Sequence, residues 1–225
     1  MNIVYEDRDL LLCEKPAGVI SEADGMPELL KEATGAQEIF CVHRLDRDTG
    51  GLMVFAKTQR AAAGLSAAIA AGKLEKEYLA VAEGIPEESG TLRDLLYRDA
   101  ARNKSYVVTR MRKGVREAVL RYRRLETREG LSLLRVALQT GRSHQIRVQF
   151  ASRGFPLAGD RKYGSSLRGC DLALWSARLR LPHPITGEWI CRELPPPETW
   201  PWTLFQGCLR ADENEKGEPP CDIWK

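Results

Sequence analysis

Apolar and polar positions along the chain predict many short strands and few helices. Ile3 to Tyr5 and Leu10 to Cys13 read as two strands. Lys15-Pro16-Ala17-Gly18 follows with turn chemistry, the proline fixing one φ and the glycine closing the turn. Ser21 to Gly35 shows no firm period. His43 to Gly51 is polar and predicts a loop, and Leu52 to Ala56 is a compact apolar strand. Gln59 to Gly72 is Ala-rich, with Leu65 and Ile69 four apart and a terminal glycine, which predicts a helix.

Strand-like runs then dominate: Glu77 to Val81, Ser105 to Thr109, Glu117 to Leu125 and Leu131 to Leu138. Ser143 is placed to cap a helix from His144 to Ser152. Ala173 to Leu181 and Glu188 to Glu193 predict a hairpin around His183-Pro184-Ile185-Thr186-Gly187. Pro195-Pro196-Pro197 breaks regular structure, and Thr199 to Leu209 predicts a last helix. Strands without a βαβ rhythm predict an α+β fold. The expectation is a single domain over 1–210, with a largely antiparallel mixed sheet flanked by helices and loops, a cleft across the sheet to hold any active site, and a mobile charged tail over 211–225.

Composition narrows the class. No apolar run approaches the ~18 residues of a membrane helix. The start, MNIVYEDRDL, is acidic where a secretory signal is basic and then apolar, so the cytoplasm is expected, as a monomer. The six cysteines form no C-x-x-C pair and the three histidines lie far apart, so neither metal nor cofactor is expected. Net charge is +3, unevenly spread. Residues 93–135 carry thirteen Lys/Arg against five Asp/Glu, and residues 188–225 carry four against eight. A basic middle suits a polyanion, although a solvated charged sheet face has the same composition.

Two polar segments carry candidate chemistry. His43-Arg44-Leu45-Asp46-Arg47-Asp48-Thr49-Gly50-Gly51 places two carboxylates and two guanidiniums within five positions of a loop. Arginine holds a neighbouring carboxylate ionised, and an ionised carboxylate can attack a sugar carbon or a base ring. A surface salt-bridge cluster is the bland alternative. Gln139-Thr140-Gly141-Arg142-Ser143-His144-Gln145-Ile146-Arg147 is a glycine turn entering a helix, where free N–H groups and basic side chains suit an RNA phosphate.

With these residues in view, Val42 to Lys57 resembles the catalytic motif of the RluA-type pseudouridine synthases. The opening strands with Lys15-Pro16-Ala17-Gly18 resemble that family's N-terminal motif, and Lys76-Glu77-Tyr78-Leu79-Ala80 its tyrosine motif. Gly141 to Val148, then Gly159-Asp160-Arg161-Lys162-Tyr163-Gly164, resemble its arginine motif and following loop, and His183 to Glu188 its late hairpin. The matches run in order from about residue 3 to 190, so no separate N-terminal RNA-binding domain is expected before them. Three departures stand out: Gly50 where the family usually has Ser, Gln149-Phe150 where His-Leu is usual, and Trp175-Ser176-Ala177 where Leu-His-Ala is common.

The resemblance implies isomerisation of uridine to pseudouridine in ribosomal or transfer RNA. The bond from ribose C1′ to uracil N1 breaks, the base turns, and C5 rejoins the sugar. Asp46 is the implied catalytic carboxylate, Arg147 its partner, and Tyr78 the residue that stacks on the base or assists proton transfer. Arg44, Arg47, Arg142 and His144 are implied RNA contacts, with Arg44 placed to fill the gap left by a flipped base. His43, His144 and His183 are expected to serve the structure, and Asp48 to order its loop. Two alternatives remain: an RNA-binding protein without catalysis, and a homodimeric aspartic protease, since Asp48-Thr49-Gly50 spells that signature.

Overall fold

The computed structural model describes residues 1–22 and 24–214, the last four by their backbone alone. The chain forms two compact units. The first comprises Met1–Tyr78 and Leu174–Pro196, and the second comprises Leu79–Ala173 and the segment from Pro197 onward.

In the first unit, β1 (Ile3–Glu6) pairs antiparallel with β2 (Leu10–Lys15), and β2 pairs antiparallel with β4 (Gly50–Ala56). Along its other edge, β4 meets β10 (Leu174–Pro182) in parallel at Gly50 and Gly51, then β3 (Phe40–Cys41) antiparallel at Phe55 and Ala56. β10 turns back into β11 (Trp189–Glu193). The one parallel pairing makes the sheet mixed, and with the helices it gives the α+β class expected. Every residue of β4 is buried. Alternation sends Leu52, Val54 and Ala56 into a cluster with Leu10, Leu12, Leu179, Leu181 and Ile190. Helix α2 (Gln59–Ala70) closes that cluster with Ala61 and Leu65, and Thr58 caps it by accepting from Ala61 N–H. Each large side chain so buried stabilises by roughly 1.5–3 kcal/mol.

Helix α1 (Met26–Thr34) lies in the stretch where no period is legible. Only its ends carry a signal, Pro27 in the first turn and Gly35 with φ 69° after the last. Its nine residues bury little more than Met26, Pro27 and Leu30, too few to write a stripe.

β5 (Glu75–Glu83) carries the chain into the second unit. There β6 (Ser89–Asp99), β7 (Lys104–Val108), β8 (Val115–Arg128) and β9 (Leu131–Leu138) form an antiparallel sheet in the order β9-β8-β6-β7. β6 is unannounced in the sequence, because only Leu92 and Leu96 of its eleven residues are buried. Helix α3 (Gln145–Ala151) packs on this sheet through Val148 against Leu96 and Ala118, with Phe150 edge-on to Tyr122. The predicted Ser143 cap is not made. His144 occupies the cap position in the left-handed region (φ 53°), and no side chain caps the helix from there. Instead Gln145 Oε1 folds back to accept from Arg142 N–H and Thr140 O–H. That removes the Arg142 N–H from the set imagined for a phosphate. Near the end, a 3-10 turn (Trp202–Phe205) leads into α4 (Gln206–Asn214). Helix therefore covers the first four residues of the expected tail, whose remainder lies outside the described residues.

Candidate active site

The Asp46 loop joins β3 to β4 and is held on both sides of the carboxylate. Ahead of it, the buried Ser21 hydroxyl donates to Leu45 C=O (2.9 Å) and accepts from Leu45 N–H (3.0 Å). Behind it, Lys15 Nζ donates to the carbonyls of Arg47 (2.9 Å), Pro16 (2.9 Å) and Val19 (2.7 Å). Three acceptors use all three ammonium protons. Arg47 C=O also accepts from Gly18 N–H, and Arg47 Nε donates to Gly18 C=O. Within the loop, Thr49 N–H returns to Asp46 C=O (3.1 Å). Asp46 is partly buried, whereas Arg44, Arg47 and Asp48 are exposed.

Lys15 is fully buried at the end of a strand whose first four residues are apolar and buried. Burial pulls its pKa down to about 8, while the charges of Asp48 and Asp46 push it up. The sequence marked Lys15 only as part of a turn. A lysine closing Leu-Leu-Leu-Cys-Glu-Lys three residues before a glycine is the available hint. Ser21 gave none.

Tyr78 is 5% exposed. Burial, then the charge of Asp46, push its phenol well above the ordinary range, against a hydrogen bond with Ser176. The structure therefore brings Tyr78 into the field of Asp46 and keeps it a neutral phenol. His43 is buried, and its Nε2 accepts from Val54 N–H (3.1 Å). Burial, then Lys76, hold its pKa well below the usual value, so it is neutral and structural as expected.

Two of the sequence departures are one feature. Gly50 and Trp175 are register partners on β4 and β10. A Cβ on Gly50 would lie 2.4 Å from Trp175 Cζ3, and no Cβ makes such a contact without displacement. The indole fills the space that a side chain at 50 would use, and its Nε1–H donates to Leu194 C=O (3.0 Å). Next to it, Gly51 has φ +111°, and a Cβ there would stand 2.4 Å from Ser176 C=O, so glycine alone permits this strand approach. Ser176 Oγ donates to Leu52 C=O (2.9 Å).

In the second unit, Arg147 is 3% exposed and forks onto Asp160, Nε to Oδ2 at 2.7 Å and Nη2 to Oδ1 at 2.8 Å. Its guanidinium also lies over the Tyr163 ring, 5.2 Å from the centroid. Asp160 follows Gly159, whose φ of +75° and close approach to Asp171 C=O fix the loop. Asp160, the partner of Arg147, carries no signal in the sequence beyond its place in the Gly159–Gly164 segment. His144 is buried, with Nδ1 2.9 Å from Tyr163 Oη, while Arg142 is exposed and donates Nε–H to Glu117 C=O. Arg44 pairs with Glu22 at 2.5 Å, both about half exposed.

Asp7, Asp9 and His183 bring one ligand atom each within 4.8 Å of one another. Hydrogen bonds within the cluster already engage His183 and Asp7. His183 Nδ1 accepts from Ile185 and Thr186 N–H, which places its proton on Nε2, facing Asp7 Oδ2 at 2.9 Å. Asp7 also accepts from Tyr5, Asp9 and Leu10, and Asp9 from Thr58. The cluster clamps the β1–β2 turn to the late hairpin, the role expected of His183.

A pinned carboxylate beside a neutral phenol, on a mixed α+β sheet, suits carboxylate chemistry at a sugar or base ring. The family described as RNA pseudouridylate synthase matches residues 9–152. "Ribosomal large subunit pseudouridine synthase D" of Haemophilus influenzae is 37% identical, the alignment covering 96% of this chain and 72% of that protein. Its namesake from Pseudomonas aeruginosa is 34% identical, covering 95% and 73%. The structure of human RNA pseudouridylate synthase domain containing 4 superposes with a TM-score of 0.76 at 23% identity, covering 93% of each chain, and so shares the fold. The chain belongs to the RNA pseudouridylate synthase family. It is an isomerase that converts uridine to pseudouridine in RNA, which removes the protease and the non-catalytic alternatives. Among the described residues, no helix is long and apolar enough to cross a membrane.

Proposed function

We propose that this enzyme modifies uridines of large-subunit ribosomal RNA as a monomer, with Asp46 as the catalytic carboxylate. The names of the bacterial relatives support the substrate. The observation that carries the assignment of Asp46 is its loop, tied at Leu45 by Ser21 and at Arg47 by Lys15, so that little reorganisation is left for the reaction. As the C1′–N1 bond opens, the sugar gains oxocarbenium character, and the carboxylate favours that charge. Tyr78, neutral and buried, acts as a ring against the base and as a hydrogen-bond donor. It is a poor base, which narrows the two roles implied by its motif to the first. Arg147 enters on its motif, with Asp160 fixing its fork. Arg44, Arg47 and Arg142 are exposed and contact RNA, whereas buried His144 acts by orienting Tyr163.

The test is tritium release from C5-labelled uridine in ribosomal RNA. Asp46→Ala and Asp46→Asn should abolish release while RNA affinity stays nearly unchanged, because affinity comes mainly from phosphates. Turnover by purified Asp46→Ala would remove the assignment. Mapping the pseudouridines lost on gene deletion identifies the RNA.

A further inference from the structure

The basic middle of the chain is not used by the site above. Its geometry is specific. β6, β7 and β8 present two faces, and alternation divides their side chains between them. Leu96 and Ala118 point to the face that α3 covers. Leu95, Tyr97, Tyr106 and Val108 therefore point to the other face. Tyr97 and Tyr106 are direct cross-strand partners, and Leu95 and Val108 are the next such pair. All four are only partly buried.

The cations around this pair are arranged unlike those of an ordinary solvated face. Residues 104–115 hold Lys104, Arg110, Arg112 and Lys113 and no Asp or Glu. Nearby arginines do find carboxylates, Arg93 with Glu117 at 2.6 Å and Arg102 with Asp99 at 3.6 Å. None of the four forms an ion pair among the described residues. Arg112 lies instead against a tyrosine of this face, 5.1 Å from the Tyr97 centroid. Lys104 Nζ stands between two rings, 5.8 Å from the Tyr106 centroid and 5.2 Å from that of Tyr163.

We propose that the Tyr97–Tyr106 face of the β6–β7–β8 sheet is a second RNA-contacting surface, which takes a single-stranded segment of the substrate away from the target uridine. Adjacent aromatic rings on an open sheet stack successive bases without sequence preference, and a guanidinium plane extends the stack. Cations without carboxylate partners meet the phosphates and release counterions. The surface rests on the RNA substrate already established for the family and is independent of the Asp46 assignment.

The probe is oligoadenylate, which stacks well and contains no uridine for the catalytic site. Binding is followed by fluorescence anisotropy across a salt series. The parent enzyme should bind it, and the salt slope should fall by about 0.7 for each of Arg112→Gln and Lys113→Gln. Tyr97→Leu/Tyr106→Leu keeps apolar bulk and removes the rings. It should weaken oligoadenylate about tenfold or more, since stacking is worth roughly 1–3 kcal/mol per base. Turnover on a short stem–loop carrying the target uridine should be unchanged. The turn variants alter exposed side chains, so they remain informative if the tyrosine pair proves needed for folding. Unchanged oligoadenylate affinity and salt slope in both sets would overturn the proposal. So would equal losses on oligoadenylate and on stem–loop turnover, which would mark a general defect. Loss of self-association with unaltered RNA affinity would give the face to a second copy of the chain instead.

Discussion

The coupling of Gly50 and Trp175 can be measured as a double-mutant cycle. Gly50→Ser places a Cβ 2.4 Å from one indole carbon and 2.8 Å from the next, with Lys15 C=O 3.4 Å away on another side. Neither the ring nor the strand can yield cheaply, because Trp175 is 6% exposed and its N–H is tied to Leu194. Overpacking of this kind costs about 1–3 kcal/mol. Trp175→Leu removes most of a buried ring and one hydrogen bond, for about 2–4 kcal/mol. In the double variant the serine enters space that the indole has left, so the overpacking cost disappears. The coupling should be about −1 to −3 kcal/mol, well outside the ~0.5 kcal/mol expected of independent sites. Urea unfolding gives the four stabilities. Single-turnover rates on ribosomal RNA give a second cycle, since Gly50 follows Thr49, whose N–H closes the Asp46 loop. Gly50→Ser should slow the chemical step, and Trp175→Leu should restore much of it. Additivity within 0.5 kcal/mol in both cycles would refute the steric account.

Other outcomes follow from the same geometry. Lys15 titrates near 8, and a neutral amine has only two protons for three carbonyls, so the single-turnover rate should fall as pH rises through about 8. Its folded pKa lies below the free-lysine value of 10.5, so the folded state sheds the proton first and global stability should rise between those two values. A pH–rate profile beside pH-dependent urea unfolding checks both signs. Asp160→Ala removes the fork on a nearly buried Arg147 and should destabilise the protein by about 3 kcal/mol, read by thermal or urea melting. Arg44→Ala should leave stability within ~1 kcal/mol, because its ion pair with Glu22 is half exposed. Its single-turnover loss should be larger for a uridine in a stem than for a bulged one, and equal losses would reduce Arg44 to a general phosphate contact. Exhaustive chelation should leave turnover on an unstructured RNA intact, as His183 and Asp7 are already engaged by hydrogen bonds within their cluster.

Much of this protein is written locally. Strands such as Leu10–Lys15 and Gly50–Ala56 are legible because burial selects continuous apolar residues, and α2 because a threonine cap precedes an alanine-rich run. The Asp46 loop is legible because its charges and glycines are consecutive. α1 and β6 are not, since each buries only two or three side chains and leaves no period to read. Ser143 makes no cap because a competing acceptor, Gln145, lies two residues further on and folds back to the same turn. What the tertiary structure decided are contacts between residues far apart in sequence: Lys15 on Arg47, Ser21 on Leu45, Asp160 on Arg147, and Trp175 against Gly50. Composition names the chemistry a residue can do. Only the register of β4 with β2 and β10 determines that a lysine from one strand end and an indole from another arrive at the two flanks of the Asp46 loop.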